Sequence, residues 1–167
     1  MSGKPIKVRV VRIGVRRRNG RVINDADGWP VGESAEDLVA YAMAQGAEGY
    51  DVHEVRICTC AACGGQVFGV HGDLEERAVQ RICRGCGTEH FIADSGAYWH
   101  AMKPAIMVCD GDGDEGDFNV AVGYSLYADN AGIRAIALTS RCVACGRLGY
   151  WVDWMVRTGD TTLLELA

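Results

Sequence analysis

Apolar positions change period along this chain, and the changes mark out its parts. In residues 5–15 they fall on even positions at Ile6, Val8 and Val10, then on odd ones at Val11, Ile13 and Val15. A period of two predicts a strand, and the phase switch predicts a bulge or a stretch buried on both faces. Asn19-Gly20 offers a type I′ turn into Arg21-Val22-Ile23, so a hairpin is expected there. Asp25 to Val31, around Gly28-Trp29-Pro30, reads as a loop. The period then lengthens. Ser34-Ala-Glu-Asp37 has the form of a capping box, and Leu38, Val39, Ala42 and Met43 make an apolar stripe ending at Gly46, which predicts the main helix. Tyr50 to Ile57 returns to strand.

Beyond residue 57 the apolar runs are short. Strands are expected at Val67 to Val70, Arg77 to Ile82, Phe91 to Ala93, Ile106 to Cys109, Phe118 to Tyr127, Ile133 to Ser140 and Tyr150 to Val156, with one or two helical turns in Ser95 to Met102. The fold class is therefore α+β, mostly β. A small α/β unit (1–57) is followed by two β-hairpin units, 58–106 and 107–167.

Cysteines explain why the second part manages with so little helix, since metal sites can replace part of a hydrophobic core. Cys60-x-x-Cys63 and Cys83-x-x-Cys86 are each followed by glycine, with nineteen residues between the pairs. Two thiolate-bearing turns facing each other across a hairpin make a tetrahedral four-sulfur site, with zinc expected and iron its main competitor. A third pair, Cys142-x-x-Cys145-Gly146, repeats the second half of this pattern. Phe91 and Tyr150 both follow the last cysteine of their pair by five residues, and Asp94 and Asp153 by eight. Cys60-Ala-Ala-Cys63 leads to Phe68, and Cys109-Asp-Gly-Asp112 leads to Phe118. An internal repeat is expected, over about 58–103 and 107–157. In this alignment Asp112 stands where Cys63 does, so a second site would use Cys109, Asp112, Cys142 and Cys145. Carboxylate oxygen ligates zinc, so this set can hold a second ion; the same residues also fit a site that has lost its metal.

The Cys-x-x-Cys-Gly pairs over residues 60–87 resemble zinc-ribbon or rubredoxin-knuckle domains. The longer text from Arg81 to Ser95, with Arg141-Cys-Val-Ala-Cys-Gly and Val152-Asp-Trp154, is similar to a group of uncharacterised actinobacterial double-ribbon proteins. The resemblance implies metal binding and brings no activity with it.

The remaining chemistry is sparse. Cys58 is left over and reads as a buried free thiol. The acidic run from Asp110 to Asp117 fails as a calcium loop, because an EF-hand frame from Asp110 puts Glu115 where glycine is needed and Ala121 where glutamate is needed. His90, four residues after Cys86, is expected to pack beside the knuckle or to bond a neighbouring group rather than to ligate. Most of Tyr98, Trp99, Tyr124, Tyr127, Tyr150, Trp151 and Trp154 are expected in the core. No hydrolase, deaminase or nucleotide-binding motif is present, so an enzyme is not indicated.

Charge adds one possibility. Residues 1–23 hold eight of the 17 basic residues, Arg12, Arg16, Arg17, Arg18 and Arg21 among them, and none of the 22 acidic ones. Such an arm either neutralises an acidic body or contacts nucleic acid. Eight cysteines with no secretory pattern suggest reduced thiolates in the cytoplasm, and no apolar run is long enough for a membrane span. The reading is a zinc-binding, non-catalytic interaction module with a protein partner. The alternatives are a nucleic-acid-binding regulator and a metal- or thiol-dependent enzyme at the second site.

Overall fold

A computed structural model describes residues 23–111, 115–129, 132–156 and 163–164. The strand expected over 5–15 and the turn at Asn19-Gly20 lie outside these residues. Among the described residues, twelve strands and one α-helix follow in order: β1 (Ile23–Asn24), β2 (Pro30–Val31), α1 (Ala35–Ala44), β3 (Gly46–Ala47), β4 (Tyr50–Asp51), β5 (Glu54–Ile57), β6 (Phe68–Asp73), β7 (Ala78–Cys83), β8 (Glu89–Phe91), β9 (Ala105–Ile106), β10 (Phe118–Leu126), β11 (Ile133–Cys142) and β12 (Leu148–Met155). The fold is α+β and mostly β, built from antiparallel sheet.

Eight of the strands form one sheet. Its main path runs β12-β11-β10-β6-β7-β8, while β5 pairs with β10 and β9 with β6. β10 and β6 touch at a single antiparallel pair, Phe118 opposite Phe68. Each strand then runs away from that point beside a short strand from the other half of the chain. Around the Phe pair the hydrogen bonds match in twos. Cys58 N–H donates to Val120 O at 2.8 Å, and Met107 N–H to Val70 O at 2.9 Å. Arg84 N–H donates to Val67 O, and Val143 N–H to Asp117 O, both at 2.9 Å. Phe68 faces Cys83 and Phe118 faces Cys142; Arg81 faces His90 and Ser140 faces Gly149. These pairs obey the offsets expected from the cysteine spacing. The halves part company after Phe91 and Tyr150. The first turns into two 3-10 turns, Ala93–Ala97 and Trp99–Ala101, where one or two helical turns were expected, and the second continues as β12.

Two layers cover the sheet. On one face Phe68, Val70, Val79, Phe118, Val120, Val122, Tyr124, Ile136, Leu138 and Trp154 form the main core. On the other, α1 lays Leu38 and Tyr41 against Ala121 and Leu148. The Asp37 carboxylate accepts the N–H groups of Glu33 and Ser34 at 2.8 and 3.1 Å, so the helix starts where its sequence indicates. The stripe is rotated from the expected one. Leu38, Tyr41, Ala42 and Gln45 are buried at i, i+3, i+4 and i+7, whereas Met43 is 45% exposed. Tyrosine, counted as polar in a hydropathy pattern, is the residue that displaces it. The strand expected over Tyr50 to Ile57 is also broken, because β4 folds back on β3 and only β5 enters the large sheet. The loop expected over Asp25 to Val31 is closed at its end by the β1–β2 pairing, Asn24 opposite Pro30.

Of the aromatics expected in the core, Tyr124 and Trp154 are buried, at 1% and 3% exposure, and Trp151 and Tyr150 pack partly buried against the core clusters. Tyr98 and Trp99 are half-buried outside those clusters, and Tyr127 is 43% exposed.

Glycine closes each cysteine turn. Gly64, Gly87 and Gly146 have φ of 75°, 76° and 75°, and each N–H donates to the carbonyl of the first cysteine of its pair at 2.8 Å. A Cβ at Gly87 meets open space, but one at Gly146 lies 2.9 Å from Gly32 O. Gly87→Ala should therefore destabilise the protein by about 1–2 kcal/mol, the cost of the left-handed backbone alone. Gly146→Ala should destabilise it further, by prising the N-terminal segment from the turn. Urea denaturation of the two variants checks the order.

Candidate metal centre

Site 1 is assembled by the ends of a hairpin. Cys60 and Cys63 lie on the turn between β5 and β6, Cys83 closes β7, and Cys86 lies on the turn into β8. Antiparallel register sets Phe68 against Cys83, which brings the two turns over each other. The four sulfurs all lie within 4.8 Å of one another. Cys60 and Cys86 approach to 3.6 Å, and Cys63 and Cys83 to 3.5 Å. A tetrahedron with metal–sulfur bonds of about 2.3 Å has edges of about 3.8 Å, so the spacing fits a zinc-sized ion. These separations are far longer than an S–S bond of about 2.0 Å, and none of the eight cysteines is in a disulfide.

The groups around the sulfurs are donors. Thr88 Oγ1 lies 3.1 Å from Cys86 Sγ. Its hydroxyl and its N–H pull the Cys86 thiol down to about 6, which favours the thiolate. Cys63 behaves oppositely. The Gly65 N–H lowers it, but the Cys83, Cys86 and Cys60 sulfurs together push it up to about 12. Crowded thiols share the few protons between them, and a divalent ion at their centre would take the protons' place. Gly65 and Gly85 allow this crowding, for a Cβ at Gly65 lies 3.3 Å from both Cys63 and Cys83 sulfurs.

His90 Nε2 stands 3.2 Å from Cys60 Sγ. It does not merely pack beside the turn or bond a neighbouring group, as its sequence position suggested; it touches a sulfur directly. Burial, with help from the Arg81 charge, lowers its pKa and favours the neutral ring, whose tautomer sets the direction of the bond to sulfur.

Site 2 has the same plan with one sulfur fewer. Cys109, Cys142 and Cys145 lie within 4.8 Å of one another, with Cys109 and Cys145 sulfurs 3.5 Å apart. Asp112, the fourth ligand expected here, lies outside the described residues. The Gly111 N–H donates to Cys109 Sγ at 3.3 Å. Burial first, then the Cys109 charge and the Cys145 thiol, pushes Cys142 up to about 12 against its backbone donors. The turn at 142–147 is fastened to the N-terminal segment. Arg147 bonds Asp25 and Asp27, each at 2.7 Å, and Gly32 N–H donates to Gly146 O at 2.9 Å. Arg141 reaches the Gly32 carbonyl at 2.6 Å. These fastenings had no signal in the cysteine spacing, because Asp25 and Arg147 are 122 residues apart.

The basic residues Arg12, Arg16, Arg17, Arg18 and Arg21 lie outside the described residues. Among the described residues, no helix is long and apolar enough to cross a membrane. The chain matches no protein-family model, no curated protein and no solved structure. What can be said of it rests on its own geometry: two cysteine groups able to hold metal ions.

Cys58 belongs to neither group. It is fully buried, burial pushes its thiol up to about 11, and its backbone bond matches that of Met107 in the other half. It is a small core hydrophobe. Cys58→Ala should leave metal content unchanged and lower stability by roughly 1 kcal/mol for the lost sulfur contacts. Elemental analysis and urea denaturation read the two effects separately.

Proposed function

We propose that this chain is a zinc-binding, non-catalytic interaction module built on two ribbon-like halves related by duplication. The observation that carries the reading is the four-sulfur group at Cys60, Cys63, Cys83 and Cys86, spaced for one tetrahedral ion. A site with all four positions filled by cysteine has no vacant position for a substrate, and this favours a structural ion over a catalytic one. The matching hydrogen bonds on either side of the Phe68–Phe118 pair support duplication. With metal at the hairpin tips, the turns become rigid projections suited to a protein partner. Exposed Val143, on the third cysteine turn, is an apolar contact such a partner could use.

A second reading has one observation in its favour. Cys145 is exposed and lines an open groove of about 500 Å³ with Arg141, Glu33 and Asp37. A three-sulfur ion facing that groove would suit a metal- or thiol-dependent reaction. Rapid alkylation of Cys145 in zinc-loaded protein supports this reading, and protection equal to that of Cys86 removes it.

Metal stoichiometry tests the main proposal. Purified chain should retain at least one equivalent of zinc through dialysis, and Cys86→Ser should lose one. Chelation should unfold the hairpin spanning Phe68 to Cys83, seen as lost amide protection there. A metal-free chain that keeps its full fold would end this reading.

A further inference from the structure

Arg81 is the one charged side chain in the described core, 3% exposed, and it meets no carboxylate among the described residues. Its Nη1 donates to Thr59 O at 3.3 Å, its guanidinium lies 4.6 Å from the centre of the Phe68 ring, and its Nε has no partner. Arginine does not give up its proton in a protein, so it cannot escape burial by becoming neutral. A buried charge of this kind persists where an opposite charge lies close by.

Four neighbours of Arg81 lead to site 1. Arg81 precedes Cys83 by two on β7 and so shares its face of the sheet. Thr59, which accepts its hydrogen bond, adjoins Cys60. Phe68, under its guanidinium, is the cross-strand partner of Cys83. His90, its partner on β8, touches the Cys60 sulfur.

We propose that Arg81 is the internal counter-cation of site 1, balancing the double negative charge that four thiolates carry around one divalent ion. The proposal rests on reading site 1 as a metal centre and adds a preference to it. A divalent ion leaves two negative charges on the site and a trivalent one leaves one, so a buried cation favours zinc or ferrous iron over ferric iron. The other half supports the assignment by contrast. Site 2, with three sulfurs among the described residues, has Ser140 at the position equivalent to Arg81, buried on the same face.

The test uses the full-length chain, with zinc as the probe and competition against a chromophoric chelator as the readout. The site 1 equivalent is identified by its loss in Cys86→Ser. Arg81→Met should weaken zinc binding at site 1 about 10- to 100-fold, the range found when groups supporting metal ligands are removed. Without metal, the same variant should be as stable as the parent or more so, because an unbalanced buried charge has gone. Opposite signs with and without zinc distinguish a counter-cation from a packing residue, and equal losses in both states would overturn the proposal.

A second pair of variants keeps the question open to refutation should Arg81→Met fail to fold. Arg81→Lys, which keeps the charge, should hold zinc more tightly than Arg81→Gln, which keeps polarity alone; equal affinities would overturn the proposal. In iron-loaded protein, Arg81→Gln should shift the midpoint potential downwards, and an unmoved potential would count against it. If the parent chain takes up no zinc at site 1, the metal reading itself falls. If the parent binds and Arg81→Met binds equally, this inference alone falls.

Discussion

Four sulfur atoms within 4.8 Å cannot all be thiolates unless something positive stands among them, and the first half of the large sheet is organised around that requirement. The register that places Phe68 opposite Cys83 brings the two turns together. Gly65 and Gly85 remove the side chains that would hold the sulfurs apart. Backbone N–H groups, Thr88 and His90 stand in hydrogen-bond contact with the sulfurs, and Arg81 carries a full charge into the layer beneath. None of these features is needed by a sheet packed on hydrophobic contacts alone. Together they form a polar shell fitted to an anionic centre.

The other half gathers three sulfurs instead of four among its described residues. Its backbone follows the same hydrogen-bonding scheme, including the bond from the residue two before the first cysteine. Its surroundings differ. Ser140 replaces the buried arginine, and stability comes from outside, through Arg147 held by Asp25 and Asp27 and through the Gly32–Gly146 contact. One architecture is thus held in two ways. The first turn region is held from within, and the second is clasped by the N-terminal segment.

Much of this was legible in the sequence, for reasons that differ by feature. The Cys-x-x-Cys-Gly spacing marks the turns directly, since the bond angles of the site and the left-handed glycine leave few alternatives. The helix boundary was legible because Ser34 and Asp37 act locally, but its buried face was misjudged because burial of Tyr41 depends on Leu148 and Ala121, far away in the chain. The break between β4 and β5 was hidden for a similar reason: a strand-like run of eight residues does not say that half of it pairs with one partner and half with another. Arg81 lies in the strand expected from Arg77 to Ile82, and nothing in that pattern singles it out. Its burial follows from the phase of Val79 and Cys83, which places it on the inner face, though its purpose emerges only with the site beside it.

The way the two halves meet has a structural corollary. β5, which introduces the first half, hydrogen-bonds to β10 of the second, and β9, which introduces the second, hydrogen-bonds to β6 of the first. Neither half finishes its own border. Alone, each would present unpaired amide and carbonyl groups along a strand, an invitation to aggregation or to exchange with another copy. Each half's border is closed by a strand of the other, so prising them apart would bare both edges at once.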